Sequence, residues 1–138
     1  MSYKLSITQK PGYLHAVVTG ENSKETALRY LEEVQRECAA RNCPRLLIEE
    51  RLEGPRLGTT SVFEIAAENS ATAQGHFKAI AYVDVNAEGN LMQFAETVAT
   101  NRGLPVRVFS SVRDAENWIL GTVEGSARSA GAPGRKPG

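Results

Sequence analysis

The feature that most constrains this chain is its alternation of short β-type runs with amphipathic stretches of helix length. Lys4-Leu5-Ser6-Ile7-Thr8 alternates with period two, Pro11-Gly12 supplies turn chemistry, and Tyr13 to Thr19 resumes as an apolar strand. Together they predict a β-hairpin. Asn22 then precedes Glu25 at capping-box spacing, and Ala27, Leu28, Leu31, Val34 and Cys38 recur at steps of three and four. That pattern predicts an amphipathic helix, ended by Asn42 and Pro44. On its outer face Glu25–Arg29, Glu32–Arg36 and Glu37–Arg41 stand at i, i+4 in the favourable order, as scaffold charges and not as a site.

The alternation continues to the end of the chain. Arg45 to Glu50 reads as a third strand, followed by a loop from Arg51 to Gly58 and a helix from Thr59 to Gly75. Phe77 to Val85 is a fourth strand, and Leu91, Phe94, Ala95, Val98 and Ala99 define a helix closed by Gly103 as a left-handed residue. Pro105 to Ser110 is the fifth strand, and a short helix from Ser111 carries Ala115, Trp118 and Ile119 and closes at Gly121. The expected order is β-β-α-β-α-β-α-β-α. Crossovers of helix length join parallel strands. The fold expected is therefore α/β: a single mixed, mainly parallel five-stranded sheet with four helices, the antiparallel strand at or near an edge.

Length allows one domain, expected over residues 1–121, because single cores stop growing only at well over about 200 residues. Residues 122–138 turn to Gly, Ala, Pro and basic side chains, a composition expected to stay disordered because it buries too little apolar surface to offset its ordering entropy. The hydrophobic fraction of 41% and charged fraction of 23% are ordinary for a packed domain. Formal charge is zero, but the tail holds Arg128, Arg135 and Lys136 against Glu124, which leaves 13 basic and 15 acidic residues in the body. A body of net charge −2 offers no broad basic face, so nucleic acid is not the expected partner.

No run approaches the roughly 18 apolar residues that cross a bilayer, and Met1-Ser2-Tyr3-Lys4 leads straight into alternating residues without a signal-peptide block. Membrane insertion is not expected, and the chain is expected in the cytoplasm. Its two cysteines, Cys38 and Cys43, have neither the number nor the spacing of a zinc site or a redox pair, and read as buried free thiols. No metal and no cofactor are expected.

Ligands of parallel sheets bind at loops after the strand C-termini, which here are Glu49 to Ser61, Asp84 to Asn90 and Ser110 to Asp114. No Gly-rich phosphate loop follows any strand, since Thr19-Gly20-Glu21-Asn22 has one glycine. His15 and His76 have no Asp or Glu at ligand spacing and read as structural or solvated. Glu49, Glu50 and Glu53 are candidate carboxylates, but neighbours on a strand point to opposite faces and a solvated loop is the simpler reading. A receiver domain is excluded by residues: its acidic cluster, acceptor Asp and following Lys have no full counterpart in Gly20-Glu21, Glu49-Glu50 and Asp84. No assembled catalytic set is visible, and the chain is not expected to be an enzyme.

The stretches Phe77 to Val83, Asn101-Arg102-Gly103-Leu104-Pro105-Val106-Arg107-Val108-Phe109 and Asp114-Ala115-Glu116-Asn117-Trp118-Ile119, with the order of elements, resemble the STAS family. These are sulphate-transporter and anti-sigma-factor-antagonist domains, and the likeness is to small stand-alone bacterial members, over roughly residues 3 to 120. The resemblance implies a signalling or protein-binding module whose partner is a kinase or an anti-sigma-factor-like protein. Phosphorylatable members carry an Asp-Ser-Ser/Thr-Gly-Leu turn where Gly58-Thr59-Thr60-Ser61-Val62 stands here, which makes Thr59, Thr60 and Ser61 candidate phospho-acceptors. A phosphate there would meet free N–H groups and about two negative charges would face a partner. Gly58 and Ser61 depart from the family pattern, and Thr59 or Thr60 as a simple helix cap is the other reading.

Phe63, Glu64 and Glu68, with Asp84 and Phe94, form the candidate interaction or ligand surface. The alternative function is a small-ligand domain, for a lipid or a nucleotide, with an apolar site near Phe63, Asp84 and Phe94. An enzyme built on Glu49, Glu50 or Asp84 is a further rival. A homodimer through the hairpin's edge strand or the Trp118 helix fits the pattern, as does a monomer.

Overall fold

The computed structural model describes residues 3–54, 57–73, 76–84 and 89–131. Strands β1 (Tyr3–Lys10) and β2 (Tyr13–Glu21) form the hairpin, followed by α1 (Lys24–Ala40), β3 (Arg45–Glu53), α2 (Thr59–Ala73), β4 (Ala79–Asp84), α3 (Gly89–Asn101), β5 (Val106–Phe109) and α4 (Val112–Gly131). The five strands lie in one sheet in the order β1-β2-β3-β4-β5. The hairpin pair is antiparallel and the other three pairings are parallel, with β1 at an edge. This is the expected α/β architecture.

Because the sheet grows in one direction, crossovers of one hand put α1, α2 and α3 on the same face. Strand periodicity then sorts the side chains. Leu14, Ala16 and Val18 of β2, Leu46 and Ile48 of β3 and Ile80 of β4 join Leu31, Val34 and Ala99 in the core beneath those helices. Leu47, Ala79, Ala81 and Val83 point the other way and pack with Ala115 and Ile119 of α4. The Leu46-Leu47-Ile48 run is thus buried from both sides, as a central parallel strand requires.

Several element ends differ from the sequence expectation. The N-cap of α1 is Ser23, whose side chain accepts from the Thr26 N–H at 3.0 Å, and not Asn22. Asn22 instead donates its backbone N–H to the Glu53 carbonyl at 2.7 Å, which ties the end of β2 to that of β3. That ladder carries β3 to Glu53, into the stretch expected as loop. Val85, expected in the fourth strand, and Pro55, expected in the loop, lie outside the described residues.

Helix α4 does not close at Gly121 but continues to Gly131. Its extension is held from outside: Arg45 Nε donates to Thr122 Oγ1 at 3.0 Å, and Val123 packs on the hairpin turn, where a Cβ on Gly12 (φ +91°) would come 3.0 Å from Val123 Cγ2. Residues 132–138 of the expected tail lie outside the described residues. Gly103 does adopt φ +87°, and the Leu104 N–H bonds back to the Ala99 carbonyl at 3.0 Å, the expected left-handed end of α3.

Candidate functional site

Parallel pairing of β3 with β4 sets Glu50 directly opposite Asp84 near the strand C-termini. Both project towards α1–α3, where side chains of directly paired residues meet. The two carboxyls are hydrogen-bonded to each other. Tyr30 of α1 and Tyr82 of β4 both donate to Glu50 Oε2, Tyr82 at 2.6 Å, and the two phenol oxygens are 2.9 Å apart. Glu50 is 5% exposed. Burial first, and then the hydrogen bond and charge of Asp84, push its carboxyl up to about 8, so Glu50 holds a proton at neutral pH. Burial also holds the Tyr30 and Tyr82 hydroxyls well above their ordinary range, which keeps both as donors.

Glu50, Tyr82 and Asp84 of this cluster line a cavity of about 130 Å³ between the sheet and the three helices, to which Gln35 of α1 and Asn69 of α2, bonded to each other, add further polar lining. Its walls are otherwise apolar, with Leu31 of α1, Ile48 of β3, Ile65 of α2, Ile80 of β4 and Ala99 of α3 contributing. Glu96 of α3 also lines it, with its carboxylate accepting the Val108 N–H of β5 at 2.9 Å. Such an arrangement accepts an apolar body of small size and offers its head a shared proton and carboxyl oxygens. Among the described residues, no group of three or more His, Cys, Asp or Glu side chains is placed to hold a metal ion.

Glu49 points through the sheet to the opposite face and is 7% exposed. Its Oε1 lies 3.0 Å from His15 Nε2, and its Oε2 pairs with Arg51. The reading of Glu49 and Glu50 as solvated is therefore corrected, as is that of His15 as lacking a carboxylate: the acid comes from the neighbouring strand, 34 residues away. Opposed faces for the two glutamates hold as expected. His76 sits edge-on to Phe77 with ring centroids 4.7 Å apart.

Of the expected interaction or ligand surface, Asp84 alone lines the cavity. Phe63 stands outside it, 40% exposed with the Arg102 guanidinium 5.3 Å from its ring centroid. Phe94 is half-buried and is not a lining residue, Glu64 is paired with Lys24 and Glu68 is exposed. Thr59, Thr60 and Ser61 form the first turn of α2, and the Gly58 carbonyl accepts the Val62 N–H at 3.0 Å. Gly58 thus occupies the cap position, and the two threonines stand exposed inside the helix. Sequence reasoning missed Tyr30 and Tyr82, whose alternative as plain core aromatics is indistinguishable until the sheet register is known.

No family model and no curated protein sequence matches this chain. Among solved structures, an uncharacterized protein from the DUF3478 family with a SpoIIAA-like fold, from Shewanella loihica PV-4, is similar at a TM-score of 0.53 and 15% identity. The likeness covers 85% of this chain and 93% of that chain. The fold is therefore SpoIIAA-like, the STAS-like class that the order of elements and the C-terminal third resemble. No helix among the described residues is long and apolar enough to cross a membrane.

Proposed function

We propose that this domain is a small-ligand-binding module whose ligand occupies the cavity between the sheet and α1–α3. The observation that carries the reading is a largely apolar cavity of about 130 Å³ lined at the strand C-termini by Glu50, Tyr82 and Asp84, with Gln35, Asn69 and Glu96 as further polar lining. Ligand sites in parallel sheets favour that end, and pockets of this kind join apolar walls to a few placed polar groups. An engineered apolar cavity of about 150 Å³ takes up benzene, which sets the scale of the guest. We read the site as binding rather than catalysis because Glu50 engages Tyr30, Tyr82 and Asp84, none of which it activates as a nucleophile.

Titration with benzyl alcohol, followed by amide and methyl NMR shifts, tests this. Shifts are expected at Ile48, Ile80 and Ala99, and Ala66→Leu, which fills the cavity wall, is expected to remove them. Shifts confined to the α4 face, or none, would rule the reading out.

A second reading attaches to α2. Thr59 and Thr60 are exposed in its first turn, one turn from exposed Phe63, while Ile65, Ala66 and Asn69 of the same helix line the cavity. A protein partner, a kinase or an anti-sigma-factor-like protein, would meet that outer face, with phosphate on Thr59, Thr60 or Ser61 as the switch. Phosphopeptide mapping and pull-down from the native cell decide it: an unmodified turn and no retained protein would count against this reading.

A further inference from the structure

The two edges of the sheet are built differently. At one side β5 has 4 residues, while at the other β1 has 8, and among the described residues no strand pairs with its outer side. Its register with β2 runs unbroken from Tyr3 opposite Gly20 to Lys10 opposite Tyr13, so it carries no bulge, and it contains no proline. Short length, bulges and prolines keep an edge from adding a strand, and β1 has none of these. Its lysines, Lys4 and Lys10, stand near its ends and leave Leu5 to Gln9 uncharged. The turn at Pro11-Gly12 has two residues, so Lys10 and Tyr13 form a pair of the hydrogen-bonded type. By alternation, the backbone groups of Tyr3, Leu5, Ile7 and Gln9 then point away from β2. Tyr3, Leu5 and Ile7 are also the half-buried row that packs against the core beneath α1.

We propose that β1 is a self-association strand, which pairs antiparallel with β1 of a second copy of this chain about a two-fold axis at Ser6 and joins the two sheets into one. Opposed residues of an antiparallel pair lie on the same face, so such an axis passes through a residue and not between two. Centred on Ser6, Leu5 stands opposite Ile7 of the other copy and Tyr3 opposite Gln9, which places every outward residue in a pair that exchanges two backbone bonds. Lys4 then faces Thr8. Centred on Ile7, Lys4 would face Lys10, a destabilising like-charge pair, and centred on Leu5 only Tyr3 to Ile7 would be paired. Helix α1 packs over β1 and β2, so the same axis sets the two α1 helices about two strand spacings apart, ~10 Å, the separation of packed helices. The flank of α1 above β1 carries Arg29, Glu33 and Glu37, with Glu33 accepting the Tyr3 hydroxyl at 2.8 Å. Read antiparallel, that stripe turns Arg29 of each copy towards Glu37 of the other, and the charges are opposite. The cavity draws its strand residues from β3, β4 and β5, so association and ligand binding are independent.

Light scattering of the whole chain over a wide range of concentration tests it, and a dimer mass is expected at the upper end. Ser6 is exposed in the single chain, so Ser6→Lys leaves the fold intact, as an unchanged far-UV spectrum will show, but sets two ammonium groups against each other on the axis. It is expected to weaken the dimer by about fivefold or more, the scale of a like-charge cross-strand pair. Cysteine cross-linking fixes the register. A residue on the axis meets its own copy at about 4.5 Å between Cα atoms, within disulfide reach. Mild oxidation with oxidised glutathione is therefore expected to give a covalent dimer from Ser6→Cys alone, while Lys4→Cys and Thr8→Cys form one only when mixed. The parent, whose Cys38 and Cys43 are buried, is the control and stays a single chain on a non-reducing gel. A monomer at every concentration, a dimer that Ser6→Lys leaves untouched, or cross-linking no stronger in Ser6→Cys than in Thr8→Cys alone would overturn the proposal.

Discussion

Glu49 and Glu50 are adjacent in β3 and about equally buried, yet the sheet hands them to two different environments. On the α4 face, Glu49 lies between His15 and Arg51, which supply hydrogen-bond donors of basic type. On the α1–α3 face, burial and then the facing carboxyl of Asp84 keep the proton on Glu50, against the opposing pull of the two phenol hydroxyls that donate to it. Packing differs in parallel. Beneath α4 the sheet presents Ala79 and Ala81, both fully buried against a helix carrying Ala115 and Ile119, whereas the other face leaves a cavity. One face is closed by short side chains and the other is left open around a protonated acid, a division expected when one layer holds the fold and the other holds a guest.

The largest effect that would break this contrast is on pH. Native Glu50 holds its proton until about pH 8, while in the unfolded chain the group titrates near 4.5. Between those values the native state binds more protons, so stability falls as pH rises through the window and levels off above 8. At roughly 1.4 kcal/mol per pH unit the whole fall amounts to at most about 5 kcal/mol. Urea melts of Glu50→Gln at pH 5, 7 and 8.5 are expected to lose this slope, leaving the variant more stable than the parent by a few kcal/mol at pH 8.5. Parallel profiles for the two proteins would mean that Glu50 is ionised throughout and that the two faces do not differ in this way.

Next in size is a pair of opposite expectations for the same type of change. Ala81→Leu forces three heavy atoms into the closed face and is expected to cost about 3 kcal/mol. Ala66→Leu adds the same atoms beside open space and is expected to shift stability by less than about 1 kcal/mol while blocking ligand. Thermal melts of both compare the layers directly, and equal losses would show that the cavity side has no room. Smaller again is Glu49→Gln, which weakens the pairs to His15 and half-exposed Arg51; solvent screening on the Arg51 side keeps the expected loss to about 1 kcal/mol at neutral pH.

Much of the scaffold was legible because it depends on local pattern. The apolar spacing of Ala27, Leu31, Val34 and Cys38, and Gly103 as the end of α3, report on neighbours within one or two turns. The site was not legible in the same way. Glu50 meets Tyr30 and Tyr82 across separations of 20 and 32 residues, and the opposition of Glu50 to Asp84 exists only once β3 and β4 are in register. A shift of one residue would have put Glu49 in the cavity instead. The continuation of α4 past Gly121 was hidden for a related reason: Gly121, Thr122 and Val123 are weak helix formers, and Arg45 and the hairpin turn at Gly12, which contact Thr122 and Val123, are distant in sequence. Asp84 was reachable from the rule that ligands lie beyond strand C-termini, but that rule names a region and not which side chains turn inward.

Phe63 offers the smallest and most selective test. An exposed aromatic near a strand-end loop is a natural candidate for holding a ligand, and on sequence alone it belongs with Asp84. The fold separates them: Asp84 turns into the cavity, while the Phe63 ring stands outside under the Arg102 guanidinium. A cation–π contact at so exposed a site contributes about 0.5–1 kcal/mol, and a ring that keeps 40% of its surface in water has little burial to lose. Phe63→Ala should therefore cost under about 1 kcal/mol in thermal melts and leave benzyl alcohol affinity within about twofold of the parent. A drop in affinity of tenfold or more would place the guest among the loops outside the sheet, and the difference between the two faces would then say nothing about binding.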